Sequence, residues 1–283
     1  MTTESNSRLI SSSQSFSKAA SVITVLVGCL VLVGWALDIV ALKSVFPGLA
    51  TMKANTAFCF VLAGAALWLL QADWVGPRTR PIAQACASIV ALLGLLTLIE
   101  YRFGWDLGID QILFKDSLGN PPGRMSHGTA MSLIAIGAAL LILDLEVGPR
   151  KHRPSQYLLL LPALVGLLSL IGYAYGVQSL YSFGPYSSIA LHTALLVVVL
   201  AVGTLCARPH PGLMAIVASD GPGGMIVRRL FPAAVVIPMV LGWLRLEGQH
   251  SGLYGLEFGT AQRLSQETGT VAQAHGAGFA LRP

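Results

Sequence analysis

The residues of this chain that could do chemistry stand at the ends of its apolar runs. They are one glutamate, two tyrosines and two histidines: Glu100, Tyr101, His127, Tyr173 and His192. Two histidines could bind a metal ion or haem. Polar residues that cap or hydrogen-bond at a helix start are the favoured interpretation. We therefore predict no cofactor and no metal site, and a ligand site built from these five residues.

No catalytic motif accompanies these residues. The sequence contains no nucleophile elbow, HExxH, Walker or kinase signature. The glycine-rich stretch 219–224 precedes Arg228 and Arg229, but it lacks the P-loop lysine, and we interpret it as a turn followed by a basic membrane-edge anchor. The four cysteines lie in apolar runs without CxxC spacing and are interpreted as packing residues. We predict no catalytic residues and no enzymatic activity for this chain.

The composition is that of a membrane protein. The chain is 54% hydrophobic and 11% charged, with a mean hydropathy of +0.69, whereas soluble domains carry about 25% charged residues. A membrane-spanning helix needs roughly 20 mainly apolar residues. Seven segments meet this need: 20–39, 54–72, 82–101, 129–147, 156–176, 188–207 and 230–246. The predicted fold is an all-α polytopic membrane helical bundle.

The basic residues predict the orientation of this bundle. The sequence pI of about 9.2 reflects charges in the loops beside the spans, so we predict no nucleic-acid partner. Ten Lys and Arg residues fall on the side of the N-terminus and eight on the other side. The positive-inside rule then places the N-terminus in the cytoplasm. The five candidate ligand residues would lie on the outer face.

Three parts of the chain read almost as copies of one another. Each copy has an apolar run that ends in an aromatic residue, then a loop, a Thr-Ala pair and a second apolar run. The copies, which span about 20–72, 82–147 and 156–207, predict repeated two-helix hairpins. Their marker residues are Gly28, Gly94 and Gly166 in the first runs and Thr56, Thr129 and Thr193 in the second runs. Small residues at these positions would let helix backbones approach closely.

A fourth copy, 230–261, is incomplete. It reaches Thr260-Ala261, but the residues that follow are polar. We expect 1–19 to be a cytoplasmic polar segment, 20–261 the membrane domain and 262–283 a flexible polar tail. Seven spans would leave that tail outside the cell. A frameshift or truncation of a longer protein would explain the break, and a natural short protein is the alternative.

Two separated motifs resemble a known family. Met52-Lys53-Ala54-Asn55-Thr56-Ala57 and Gly123-Arg124-Met125-Ser126 resemble the "RMSPNTA" helix start of a bacterial multi-span sensor module. That module is found ahead of PAS, histidine-kinase or diguanylate-cyclase domains. The stretch 219–232 and Pro238-Met239-Val240-Leu241-Gly242-Trp243-Leu244 resemble the module's last motif. The second copy departs from the pattern, with His127-Gly128 in place of Pro-Asn.

The resemblance, which covers about 20–261, implies a sensory input module truncated before its cytoplasmic output domain. It implies a multi-pass protein of the bacterial inner membrane that contacts lipid. Such a module could form a homodimer and signal to a cytoplasmic partner. The repeats alone suggest an alternative, a small-solute transporter or channel, and a purely structural membrane subunit is a third interpretation. Ionisable residues are absent from the centres of the predicted spans, which favours a sensor over ion-coupled transport.

Overall fold

The structure is a computed structural model. It describes residues 2–46, 48–71, 73, 75–116, 121–149, 152–182 and 188–209, together with scattered residues between 223 and 244. The chain divides into two compact units, Met1–Ala234 and Val235–Pro283. In the second unit the description is confined to 236, 237 and 240–244, which are helical. The fourth copy and the tail predicted from the sequence therefore lie mostly or wholly outside the described residues.

Regular structure in the described part of the first unit is helical, which confirms the all-α prediction. The α-helices are α1 (Thr2–Ala36), α2 (Val40–Lys43), α3 (Ala54–Leu69), α4 (Thr79–Phe103), α5 (His127–Leu141), α6 (Pro154–Leu158), α7 (Leu160–Tyr175) and α8 (Leu191–Ala207). Two short 3-10 helices, Ile109–Gln111 and Gln178–Leu180, lie in the loops after α4 and α7. Of residues 1–19, positions 2–19 already belong to α1.

Three helical segments are long and apolar enough to cross a membrane. They are Ile10–Ala36, Thr79–Phe103 and Pro154–Tyr175. The other apolar helices, α3, α5 and α8, have 16, 15 and 17 residues, or about 24 Å at a rise of 1.5 Å per residue. They are shorter than the predicted spans because each apolar run continues beyond its helix, as at the buried, non-helical Leu70 and Leu143. The seventh predicted span, 230–246, lies largely outside the described residues.

The short helices form the centre of the bundle and the long helices surround them. Helices α3, α5 and α8 contact one another and carry most of the large core side chains, among them Phe60, Ile136 and Leu200. Each long helix packs on the short helix that follows it: α1 on α3, α4 on α5, and α7 on α8. The long helices keep apolar side chains exposed, as at Leu92, which is 53% exposed, and Leu164, which is 54% exposed. Such a face fits the hydrocarbon core of a membrane.

Glycine sets the distance between each long helix and its short neighbour. A Cβ atom would lie 2.9 Å from the Ala57 carbonyl oxygen at Gly28, 2.7 Å from that of Ala130 at Gly94, and 2.9 Å from that of Ala194 at Gly166. These distances leave no room for a side chain. The three glycines thus contact the alanines of the three Thr-Ala pairs.

A second contact recurs where the long helices end. Each aromatic residue seven positions after the glycine donates a hydrogen bond to the carbonyl four positions before the threonine. The bonds run from Trp35 Nε1 to Met52 (2.9 Å), from Tyr101 Oη to Met125 (3.0 Å) and from Tyr173 Oη to Ile189 (2.6 Å). They connect the end of each long helix to the chain entering the next short helix. We call this end of the bundle the aromatic end.

Arg208 joins three elements at the opposite end. Its Nε donates to Asp144 Oδ1 at 2.8 Å, and its Nη2 donates to the Leu70 carbonyl oxygen at 2.9 Å. Asp144 follows α5 and Leu70 follows α3, so Arg208 connects the ends of the three central helices. We call this the basic end.

Candidate functional site

The described parts of the loop between α4 and α5 turn at glycines with a left-handed backbone, among them Gly104 and Gly123. Gly104 ends α4 with a left-handed φ of +68°, which residues other than glycine adopt only with strain. At Gly123 φ is +74°, and a Cβ atom would lie 2.7 Å from the Asp110 carbonyl oxygen. Between these turns the loop places Asp110 beside Glu100 of α4 and Arg124 of the second motif.

Arg124 lies between two carboxylates. Its Nε is 2.6 Å from Asp110 Oδ2 and 3.3 Å from Glu100 Oε2. Its Nη2 donates to the Trp105 carbonyl oxygen at 3.2 Å, and its guanidinium stands 5.3 Å from the centroid of the Tyr101 ring. All three charged side chains are buried. Buried charges must be paired or hydrogen-bonded to be tolerated, and here one arginine serves two acids.

The first motif reaches the same loop. Asn55 Nδ2 donates to Asp110 Oδ1 at 3.2 Å, and Asn55 Oδ1 accepts from the Thr56 backbone N–H at 2.7 Å. Lys53 lies 2.6 Å from the buried carboxylate of Asp116. The two separated helix-start motifs therefore meet on a single loop. We call Asn55, Glu100, Asp110 and Arg124 the Arg124 cluster.

Burial and charge act in opposite directions on Asp110. Desolvation raises the pKa of its carboxyl above the ordinary value, while the hydrogen bond and charge of Arg124 lower it, and the net pKa is raised. Glu100, at the α4 end of the cluster, accepts a hydrogen bond through its Oε1 from the Leu107 backbone N–H at 2.8 Å.

A cavity of about 440 Å³ opens beside the cluster. Asp110 and Arg124 line it from the buried side, and Trp105, Asp106 and Pro122 are among its other lining residues. A volume in this range is typical of small-molecule sites. Because two members of the Arg124 cluster form part of its wall, a molecule bound there would contact the cluster directly.

The structure groups three of the five predicted ligand residues. The rings of Tyr101 and His127 stack with centroids 3.6 Å apart, and Tyr101 adjoins both Glu100 and Arg124. Tyr173 instead stacks on Tyr181 at 4.0 Å, in the α7–α8 part of the bundle. His192, at the start of α8, is buried, and within the described residues neither of its ring nitrogens has a hydrogen-bond partner. A site that includes all five residues stays a prediction.

Sequence reasoning missed Asp110 and treated Asn55 and Arg124 only as parts of a motif. A signal was present at Glu100, which stands where the other copies have Gly34 and Gly172. A Cβ atom at Gly34 would lie 2.5 Å from Leu42 Cβ, and one at Gly172 would lie 2.7 Å from Leu180 Cβ. A glutamate at this position therefore requires a differently folded loop, with room for a buried acid. Its basic partner is Arg124, whereas Arg102, its neighbour in sequence, lies over the Phe103 ring.

Neither the metal-ligating side chains nor comparison with known proteins identifies what the site binds. Within the described ranges, no group of three or more His, Cys, Asp or Glu side chains could hold a metal ion. No protein-family model matches the chain, and neither a curated protein nor a solved structure matches it.

Proposed function

We propose that the chain is the membrane-embedded sensory input module of a bacterial signal-transduction protein. The observation that carries this proposal is the position of the cavity against the Arg124 cluster. That cluster joins the end of α4, the starts of α3 and α5, and the loop between α4 and α5. A bound molecule would therefore act on the contacts that hold three helices in their relative positions.

The proposed module crosses the inner membrane seven times, with its N-terminus in the cytoplasm. In this orientation the aromatic end faces outward and the basic end faces the cytoplasm, as the positive-inside rule expects. The short helices α3, α5 and α8 would span a locally thinned bilayer, an adjustment that costs fractions of a kcal/mol per Å of mismatch. The cavity would then receive its ligand from outside the cell.

Repeated two-helix hairpins are part of this proposal. The glycine–alanine contacts and the aromatic hydrogen bonds recur at matching positions in three pairs of helices, which supports a common hairpin design. The Arg124 cluster has no counterpart in the positions of Gly34 and Gly172. The middle hairpin would therefore be the one specialised for binding.

Signal transmission requires two arrangements of the bundle that differ in affinity for the ligand. A ligand can shift such an equilibrium only by its differential affinity for the two states. Glu100 is the α4 residue in the cluster, and Gly94, six residues earlier on α4, packs directly on α5 at Ala130. A change in the contacts of Arg124 would therefore move the ends of α4 and α5 relative to each other and pass along a tightly packed helix pair to the basic end.

A small-solute transporter is the alternative, and flux measurements separate the two functions. The full chain in lipid nanodiscs would be screened against a solute panel by thermal stability, since a ligand at 100 times its Kd stabilises by about 2.7 kcal/mol. Each stabilising solute would then be tested for uptake into proteoliposomes. We expect binding without uptake, and weaker binding in Trp105→Leu, at the cavity wall, but not in Asp73→Asn. Uptake that depends on the chain would establish the transporter instead.

A further inference from the structure

We propose that the cavity beside Arg124 binds a small organic cation that carries an ammonium or guanidinium group. This inference rests on the proposed function and names the class of ligand for the same site. It is argued from the excess of buried carboxyl groups over basic side chains, from the sharing of Arg124 by two of those carboxyl groups, and from the residues that line the cavity.

The described residues around the site bury three carboxyl groups but only two basic side chains. The buried carboxylates are Glu100, Asp110 and Asp116, and the cations beside them are Arg124 and the largely buried Lys53. Lys53 pairs with Asp116, so Arg124 is left with two acids. Two buried carboxyl groups that share one arginine are costly to keep ionised, and a cationic ligand would stabilise their charged forms. Asp106, at the wall of the cavity, adds a further negative charge.

The two distances from Arg124 show which of its carboxyl partners it holds less closely. Its Nε is closer to Asp110 (2.6 Å) than to Glu100 (3.3 Å). Glu100 Oε2 is buried, and Arg124 reaches it through this longer ion-pair contact. Asp110 lines the cavity, so a ligand cation there could compete with Arg124 for its carboxylate. Arg124 would then be free to move toward Glu100, and this movement is the link from binding to the end of α4.

The remaining wall suits a cation better than an anion. Trp105 is among the lining residues and is 55% exposed, and an indole ring attracts cations to its face. An anion would have to approach two aspartates to reach an arginine whose Nε and Nη2 already have partners. Within the described residues no group of three or more His, Cys, Asp or Glu side chains could hold a metal ion, and the cavity of about 440 Å³ has room for an organic cation.

The test is calorimetric titration of the full chain in nanodiscs of anionic phosphatidylglycerol, at matched ionic strength. The cationic probes are choline, ethylammonium and guanidinium, and the anionic probe is acetate. The neutral probe is the alcohol in which carbon replaces the choline nitrogen. The variants are Trp105→Leu, Asp106→Asn and Asp110→Asn, with Asp73→Asn as a carboxylate control outside the cavity. Repeating the titration with phosphatidylcholine in the nanodisc separates a lipid headgroup from a free solute, since a headgroup ligand would compete with added choline.

We expect at least one cation to bind saturably and the neutral alcohol and acetate not to bind. Trp105→Leu should weaken that binding about 2- to 30-fold, the range of a cation–π contact. Asp106→Asn should weaken it up to about fivefold, and Asp73→Asn should leave it unchanged. Trp105 and Asp106 are exposed, so these two variants keep the test decisive if Asp110→Asn fails to fold.

Failure of all three cations, equal binding of the neutral alcohol, or binding unaffected by both exposed variants would overturn the cation site. Binding of an anionic or neutral solute in the cavity would overturn it as well, while leaving the sensory function intact. Uptake of a bound cation into proteoliposomes would support the cation site and contradict the sensory function.

Discussion

Asn55 donates a hydrogen bond to Asp110 across 55 residues of sequence. This bond, together with the ion pair from Arg124 to the same carboxylate, brings the two helix-start motifs to one point. Asp110 is therefore one of the points at which the first and second pairs of helices meet. The stability of the aromatic end should depend on how the charges around it are balanced.

Removing Arg124 should destabilise the protein strongly. Arg124→Met leaves Glu100 and Asp110 buried without their cation, and breaking a buried pair in this way costs about 3–5 kcal/mol. The triple variant Glu100→Gln/Asp110→Asn/Arg124→Met should recover most of that loss, because no charge is left uncompensated. The free energy of unfolding in detergent measures both. Arg80→Met, at an exposed arginine 3.8 Å from Asp144, serves as control and should change it by less than about 1 kcal/mol. A triple variant as unstable as the single variant would contradict the charge argument.

Overfilling the contact between α4 and α5 should also destabilise the fold. In Gly94→Leu the first added carbon would meet the Ala130 carbonyl oxygen at 2.7 Å and Ile134 Cγ1 at 3.0 Å. Overpacking of this kind costs about 1–3 kcal/mol. Leu92→Phe adds volume to the exposed face of the same helix and should be tolerated in nanodiscs. Thermal denaturation compares the two, and unchanged stability of Gly94→Leu would mean that Gly94 is not needed for packing.

The aromatic hydrogen bonds can be removed one atom at a time. Tyr101→Phe and Tyr173→Phe each remove a hydroxyl that donates to a carbonyl oxygen. Each should lower the free energy of unfolding by about 0.5–1.5 kcal/mol. Tyr157 is half exposed, and Tyr157→Phe provides the matched control with no expected change. If all three variants behaved alike, the two bonds would contribute nothing to stability.

The raised pKa of Asp110 predicts a pH dependence of definite sign. Below its ordinary value of 3.8 the carboxyl is neutral in both the folded and the unfolded chain. Between 3.8 and the raised folded pKa the folded protein holds more protons, so stability falls as pH rises through this window. Above the folded pKa the contribution is constant.

Asp110→Asn should remove this dependence. Stability curves of the parent and the variant should therefore converge toward low pH and separate as pH rises, with the parent losing more. Asp73→Asn, at an exposed carboxylate, controls for general acid effects. Curves for Asp110→Asn that separate in the opposite direction would show that the attraction of Arg124 outweighs desolvation.

Cysteine labelling tests the proposed orientation. In a background with the four cysteines replaced by alanine, a cysteine at Lys115 should react with an impermeant reagent added outside intact cells. A cysteine at Ser12 should react only after the membrane is opened. Lys115 is exposed and lies in the loop at the aromatic end, so its labelling reports on that loop directly. Labelling of Ser12 from outside would reverse the orientation and place the cavity in the cytoplasm.

The sequence by itself determined the helical class and the main close contacts. Apolar runs separated by turn residues specify helices, because only a helix satisfies its own backbone in an apolar solvent. The matched glycines and aromatic residues recur at equivalent positions of the three sequence copies, and Gly28, Gly94 and Gly166 lie against neighbouring helices. These features depend on residues close together in sequence or on a pattern that recurs.

Only the tertiary structure decided which helices lie inside and which acids share a cation. Hydropathy counts apolar residues without regard to their neighbours, so α3 and α4 looked alike as spans although α3 lies in the centre and is much shorter. The Arg124 cluster joins a helix end, a 3-10 turn and two motifs up to 69 positions apart, from Asn55 to Arg124. Asp110 stands in a loop without periodicity. Its role arises from burial beside Glu100 and Arg124, and burial is a property of the packed chain.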